Sequence, residues 1–229
     1  MNEVLRQEKK FLITLSQMYE HFHRLNKIMK QDEHNFGEGY LIRSLYFDTL
    51  GDRDFTEKKD GVELRRKLRL RSYGPDYSFG VLEMKQKEGQ LQKKRSLKLS
   101  REDAIRLADR DYEVLLKYDT PFAGECFSIL NMYGYVPKVI VEYQRKAFVA
   151  KENKIRITFD HHITGTQNCR NFFDTALLQN PILDPYLVVL EVKYNGFLLS
   201  YIKDMLKEVD RSETSVSKYC LSRSVRVCG

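Results

Sequence analysis

The stretch Lys67–Gly74, KLRLRSYG, alternates cation and leucine over its first five positions. In an extended strand successive side chains point to opposite faces. Leu68 and Leu70 therefore share one face, and Lys67, Arg69 and Arg71 share the other. Same-face neighbours lie roughly 6–7 Å apart, so the three cations form a row whose charges repel. The fold depends on what that row faces.

The row is not isolated. Three other segments that read as strands carry Glu-x-Lys with both charges on one face: Glu8/Lys10, Glu83/Lys85 and Glu191/Lys193. Tyr143 shares a face with Arg145, and Arg156 with Thr158 and Asp160. Lys87 follows Lys85 at the same spacing, and the next strand brings Lys93 and Arg95. In a single strand such a pattern reads as a solvated face, whose ion pairs contribute about 0.2–1 kcal/mol each. Here it recurs in at least six strands, while several amphipathic segments require an apolar surface to cover. If helices cover the Leu/Val/Ile side, the charged side is either an open face or the inside of a closed barrel. A barrel of about eight strands encloses room for one ligand. Cations lining it would repel one another and lose hydration unless a polyanion entered. Interspersed carboxylates would repel that polyanion unless a hard divalent cation, Mg²⁺ or Mn²⁺, bridged the two.

The segments fit this picture. RQEKKFLIT, YLIRSLYFDT, KVIVEYQRKAFVA, KIRITFDHHI and YLVVLEVKYNG read as strands, and FGVLEMKQKEGQLQKKRSLKLS as a hairpin breaking at Glu88-Gly89. SQMYEHFHRLNKIMKQ reads as a helix with Ser16 as N-cap and Met18, Phe22, Leu25 and Met29 on one stripe. SREDAIRLADRDYEVLLKY, FAGECFSILNMYGY, LLSYIKDMLKEV and SVSKYCLSRSV read as further helices, and residues 50–60 as a charged loop. The expected class is α+β: one domain over residues 1–229, an antiparallel closed barrel of about eight strands with helices outside.

Composition narrows the function. Among 229 residues, 42% are hydrophobic and the net charge is +7, which favours an anionic partner. No apolar run reaches the roughly 18 residues that span a bilayer, and MNEVLRQEKKF lacks the apolar core of a signal peptide. Cys126, Cys169, Cys220 and Cys228 show no zinc-type spacing and read as reduced thiols. These features lead to the expectation of a soluble cytoplasmic protein. There is no Walker A loop or GxSxG elbow. His21 and His23 lie on a helix without a partner motif, and His161-His162 reads as a loop pair.

RQEKKF, SLYFDT, KLRLRSYG, LEMKQK, KKRSLKL, VIVEYQRKAF, IRITFD, VVLEVKYNG and SVSKYCLSRS follow one another in order. In this series the chain resembles the VTC-type polyphosphate polymerase domain (vacuolar transporter chaperone), a branch of the triphosphate tunnel metalloenzymes related to CYTH proteins. The resemblance implies that Lys10, Arg69, Arg71, Lys85, Arg145 and Lys193 form the catalytic set. It also implies that Lys87, Lys93, Arg95, Tyr143, Arg156, Ser217 and Lys218 bind substrate. Glu191 is the leading metal ligand, with Glu8 and Glu83 as further candidates for Mn²⁺ or Mg²⁺, and Asp160 is expected to orient a neighbouring arginine. The implied reaction moves the γ-phosphoryl of a nucleoside triphosphate onto inorganic polyphosphate. CYTH members such as thiamine triphosphatases and class IV adenylate cyclases open with Glu-x-Glu-x-Lys, whereas this chain has Arg6-Gln7-Glu8-Lys9-Lys10. The first glutamate is thus replaced by a cation, which tilts the reading toward the polymerase branch. The membrane helices and regulatory modules of eukaryotic polymerases have no counterpart in this sequence. Two alternatives remain: a tripolyphosphatase or nucleoside triphosphatase of the same fold, and a non-catalytic polyphosphate- or RNA-binding module. For the latter, Tyr73, Tyr77 and Phe79 could stack bases. Nucleic acid ranks behind phosphate chains, because binding it does not require three Glu-x-Lys dyads.

Overall fold

The computed structural model describes residues 6–89, 91–209, 212–214 and 216–224. Strand β1 (Arg6–Thr14) runs directly into helix α1 (Leu15–Asn26). Thr14 rather than Ser16 is the cap: its Oγ1 accepts the Gln17 N–H at 3.2 Å, and the Gln17 side chain accepts the Thr14 N–H at 2.9 Å. This reciprocal pair is a capping box with glutamine in the third position. After β2 (Lys30–Gln31) and β3 (Tyr40–Thr49) comes α2 (Arg53–Lys59), where the sequence suggested only a charged loop. Its cap is not local. Asp48, at the end of β3, accepts the Asp54 and Phe55 N–H groups, each at 2.9 Å.

Strands β4 (Arg65–Ser72), β5 (Phe79–Glu88) and β6 (Leu91–Ser100) form an antiparallel meander. The segment expected as one helix after Ser100 is α3 (Arg101–Ala108) followed by a separate 3-10 turn, Tyr112–Lys117, with Arg110 between them at φ 71°. A non-glycine residue in that region cannot continue a right-handed helix. Next come α4 (Pro121–Met132), β7 (Tyr135–Val149), β8 (Arg156–Thr166), β9 (Asn180–Pro181), β10 (Leu187–Asn195), α5 (Ser200–Lys207) and α6 (Lys218–Ser224). His161 and His162 lie within β8 rather than in a loop. Cys126 and Cys169 carry free thiols, and Cys228 lies outside the described residues.

The chain divides into two compact units. The first comprises Met1–Leu41, Tyr143–Ile163 and Leu183–Ser217. Its core packs Met18 and Leu25 of α1 and Ile202 of α5 against Phe11, Phe159 and Leu190. The second comprises Ile42–Glu142, Thr164–Ile182 and Lys218–Gly229, with a core of Leu45, Leu68, Leu70, Leu82 and Met84 under Leu107 of α3 and Leu130 of α4. In β4 the predicted alternation holds: Leu68 and Leu70 are fully buried, and Lys67, Arg69 and Arg71 are half-buried on the other face.

The fold is α+β with one large antiparallel sheet, but the sheet is not closed as expected. Hydrogen-bonded strand order runs β1-β10-β8-β7-β3-β4-β5-β6, with β2 added on β7 and β9 on β8. The order ends at β1 and β6. The outer edge of β1 is taken up by Glu213 and Thr214, the Thr214 N–H donating to the Lys10 carbonyl at 2.9 Å. The β6 edge is exposed and rich in lysine, a composition that discourages strand addition.

Candidate phosphate and metal site

In the first unit the register sets Glu8 opposite Lys193 and Lys10 opposite Glu191, with Glu191 opposite Thr158 and Lys193 opposite Arg156. The two Glu-x-Lys dyads of β1 and β10 thus run antiparallel and form a checkerboard of two anions and two cations. Lys10 Nζ lies 2.7 Å from Glu8 and 3.6 Å from Glu191. Lys193 Nζ contacts Glu191 directly and lies 3.7 Å from Glu8. Burial alone would raise the Glu191 carboxyl, but Lys193, Lys10 and Arg145 outweigh it and hold it well below the usual carboxylate range. Burial and Glu191 push Glu8 upward, and Lys193 with Lys10 reverse that into a net lowering. Both carboxylates are ionised near neutral pH.

Beside the checkerboard, Asp160 is fully buried and receives both prongs of the Arg145 fork, at 2.6 and 2.7 Å. Burial disfavours the Arg145 charge, but Asp160 and Tyr143 raise its pKa well above the ordinary arginine value. The guanidinium also sits 5.3 Å from the Tyr143 ring centroid. A Cβ at Gly39 would run into the Arg145 carbonyl, and Gly39 has φ 114°, so only glycine fits there. Arg156 reaches Asp32 at 2.8 Å and donates to the Tyr40 hydroxyl at 3.0 Å. Thr158 Oγ1 is buried with no hydrogen-bond partner among the described residues.

In the second unit the register aligns Lys67, Lys85 and Lys94 directly across three strands. Like charges so placed destabilise a sheet. Glu83, next to this row, is their counterion: it pairs with Arg69 at 2.7 Å, with Arg71 at 3.6 Å and directly with Lys94. Burial raises the Glu83 carboxyl, yet Arg69, Arg71 and Lys94 override it and hold it far below the usual range. Burial lowers the Lys94 ammonium, and Arg71 and Arg69 add to that lowering against Glu83. Arg69 also donates to the Tyr46 hydroxyl at 3.3 Å. Burial would raise the Tyr46 phenol, but Arg69, Lys67 and Lys218 bring it below its ordinary value. Ser44 Oγ and Arg71 Nε, both facing this surface, have no hydrogen-bond partner among the described residues.

The structure separates two expected residues from this set. Glu88 pairs with Leu91, so odd positions of β5 face even positions of β6. Lys93 and Arg95 therefore lie on the helix-covered face with Leu97 and Leu99. Arg95 is engaged there by Glu125 of α4 and by Gln86 at 2.6 Å, over the Phe122 ring. Lys94 occupies the place assigned to Lys93. Lys87 keeps its face, opposite Arg65 and Gln92. Ser217 is half-buried immediately before α6, which Lys218 begins.

Sequence reading also missed Tyr46 and Asp32. Tyr46 stands in YLIRSLYFDT, where seven consecutive residues, Ile42 to Asp48, are buried and no alternation marks a charged face. Among the described residues, no group of three or more His, Cys, Asp or Glu side chains is arranged to hold a metal ion.

The fold is shared with two solved structures: a candidate adenylate cyclase from Bacillus halodurans (TM-score 0.57, 13% identity, 95% of this chain and 96% of that one) and a candidate adenylyl cyclase from Hippeastrum described as having a dominant triphosphatase activity (TM-score 0.55, 12% identity, 95% and 96%). No curated protein matches the sequence at a comparable level. The VTC domain model matches residues 5–226, and the chain belongs to that family.

Proposed function

We propose that the protein is a metal-dependent phosphotransferase that moves the γ-phosphoryl of a nucleoside triphosphate onto inorganic polyphosphate. The observation that carries this reading is the β1/β10 checkerboard, in which two ionised glutamates alternate with two lysines at 2.7–3.7 Å. A site for bare polyanion binding gains nothing from carboxylates in its centre. Glu8 and Glu191 are hard oxygen donors, and they suit Mg²⁺ or Mn²⁺. Such ions are commonly held by one or two carboxylates, with substrate phosphates and water completing the shell. Two carboxylates without a third protein ligand therefore fit the group, and Glu191, the more buried, would be its principal anchor. The bound cation would neutralise charge building up on phosphate oxygens.

The remaining work falls to the chain's own side chains. Lys10 and Lys193 clamp phosphate oxygens, and Arg145, oriented by Asp160, presents a fixed guanidinium. Phosphoryl transfer needs positioning and charge neutralisation rather than a covalent nucleophile. In the second unit Arg69, Arg71, Lys85 and Lys94 offer the same phosphate chemistry, and Glu83, surrounded by three cations, orients them rather than holding a metal.

The test compares Glu191→Gln with Arg71→Ala for Mn²⁺- or Mg²⁺-dependent turnover of ATP and for polyphosphate affinity. Glu191→Gln is expected to abolish turnover while affinity holds or rises, because repulsion is relieved. Arg71→Ala should weaken both. Near-normal turnover by Glu191→Gln would remove the glutamate from the metal site.

A further inference from the structure

Tyr73, Tyr77 and Phe79 take no part in the chemistry above, yet they continue the charged face of the second unit. Tyr73 and Tyr77 lie 5.2 Å apart between ring centroids, and Tyr77 and Phe79 lie 4.7 Å apart. All three are half-buried. The Lys98 ammonium sits 3.9 Å from the Phe79 ring centroid. Arg101 donates to the carbonyls of Pro75 and Tyr77, at 2.5 and 2.8 Å, and pins the loop that carries the tyrosines.

The register fixes where Phe79 stands, and the ring contacts set Tyr77 beside it and Tyr73 beside Tyr77. Arg71 lies opposite Val81, and Val81 opposite Lys98. Phe79 is two residues beyond Val81 on the same face, about 7 Å along the strand from the Arg71 level, and Glu83 is the same distance the other way. One face thus presents a cationic group, a lysine and then an aromatic platform in line. A ribose and a short run of phosphates span that separation.

We propose, building on the function above, that the platform of Tyr73, Tyr77 and Phe79 binds the nucleobase of the nucleoside triphosphate, with Lys98 on the phosphate nearest the ribose. Aromatic rings stack on any base, because every base offers a π-face. The subsite therefore distinguishes nucleoside triphosphates from inorganic tripolyphosphate, and favours no single base strongly.

Phe79→Ala and Tyr77→Ala are assayed with ATP, GTP and inorganic tripolyphosphate in the presence of Mn²⁺. Loss of a stacked base corresponds to about a tenfold effect, so KM for both nucleotides should rise about tenfold while KM for tripolyphosphate stays within twofold. Phe79→Leu, which keeps bulk without the ring, guards against misfolding and should give the same selective loss. Equal KM changes for all three substrates, or unchanged nucleotide KM, would overturn the subsite. If the wild-type protein turned over none of the three, the functional reading itself would fail, and that result is distinct from an unselective variant.

Discussion

Asp54 is 2% exposed, receives the Tyr135 hydroxyl at 2.7 Å on one carboxyl oxygen, and leaves the other buried without a hydrogen-bond partner among the described residues. Burial dominates its environment and raises its pKa from 3.8 to about 7, while Tyr135 opposes the rise and Asp48 adds to it. The folded state therefore binds a proton that the unfolded state has released, and stability falls as pH climbs from about 4 to about 7. A rise of about three units corresponds to roughly 3–5 kcal/mol at pH 8. Asp54→Asn keeps the shape and the acceptor for Tyr135 but removes the charge. Urea midpoints should show the variant more stable than wild type at pH 8, with the gap closing below about pH 5. An advantage independent of pH would mean that ionisation of Asp54 is not the cause. Glu83 has the opposite sign, since its pKa is depressed and its contribution disappears as pH falls through the acid range. Glu83→Gln leaves Arg69 and Arg71 half-buried without their counterion, and should cost about 3–5 kcal/mol in chemical denaturation at pH 7. A loss under 1 kcal/mol would show that the cations are adequately hydrated.

At the scale of elements, the exchange of Lys93 for Lys94 comes from a single turn. Gly89 follows β5 with φ 55°, and Glu88 pairs with Leu91. That register decides which face every β6 side chain takes, since a one-residue slip inverts the whole strand. Lys94→Ala is expected to weaken tripolyphosphate binding about tenfold, the scale of one hydrogen bond to a charged group. Lys93→Ala should change it less than twofold, as calorimetry would show, and the reverse ranking would contradict the register. The packing of α3 is equally specific. A Cβ at Gly80 would stand 2.7 Å from the Ala104 Cβ and 2.9 Å from the Leu70 side chain, so Gly80→Ala should destabilise by about 1–3 kcal/mol. Much of this level was legible in the sequence. β1 and β3 span the stretches read as strands, and the cation row of β4 lies on the face opposite Leu68 and Leu70, because alternation is a local signal. The cap of α2 was not legible, since it is donated by Asp48 across a turn. Tyr46 was not legible either, in a strand buried on both faces. Sheet closure was inferred from charge alone, and charge does not encode which edges pair.

At the scale of the whole molecule, +7 net charge and two clusters of glutamate among lysine and arginine accord with the long anionic chain proposed as substrate. Attraction of that kind is screened by salt, so polyphosphate affinity should fall steadily between 50 and 500 mM salt. The central claim concerns what happens to the phosphoryl group once bound. The most direct measurement incubates the protein with ATP and Mn²⁺ or Mg²⁺ and resolves the products by chain length over time. The account predicts a ladder of growing polyphosphate with stoichiometric ADP, lost in Glu191→Gln and on chelation of the metal. Release of orthophosphate alone, with no product longer than the substrate, would contradict phosphoryl transfer to polyphosphate and assign the site to hydrolysis.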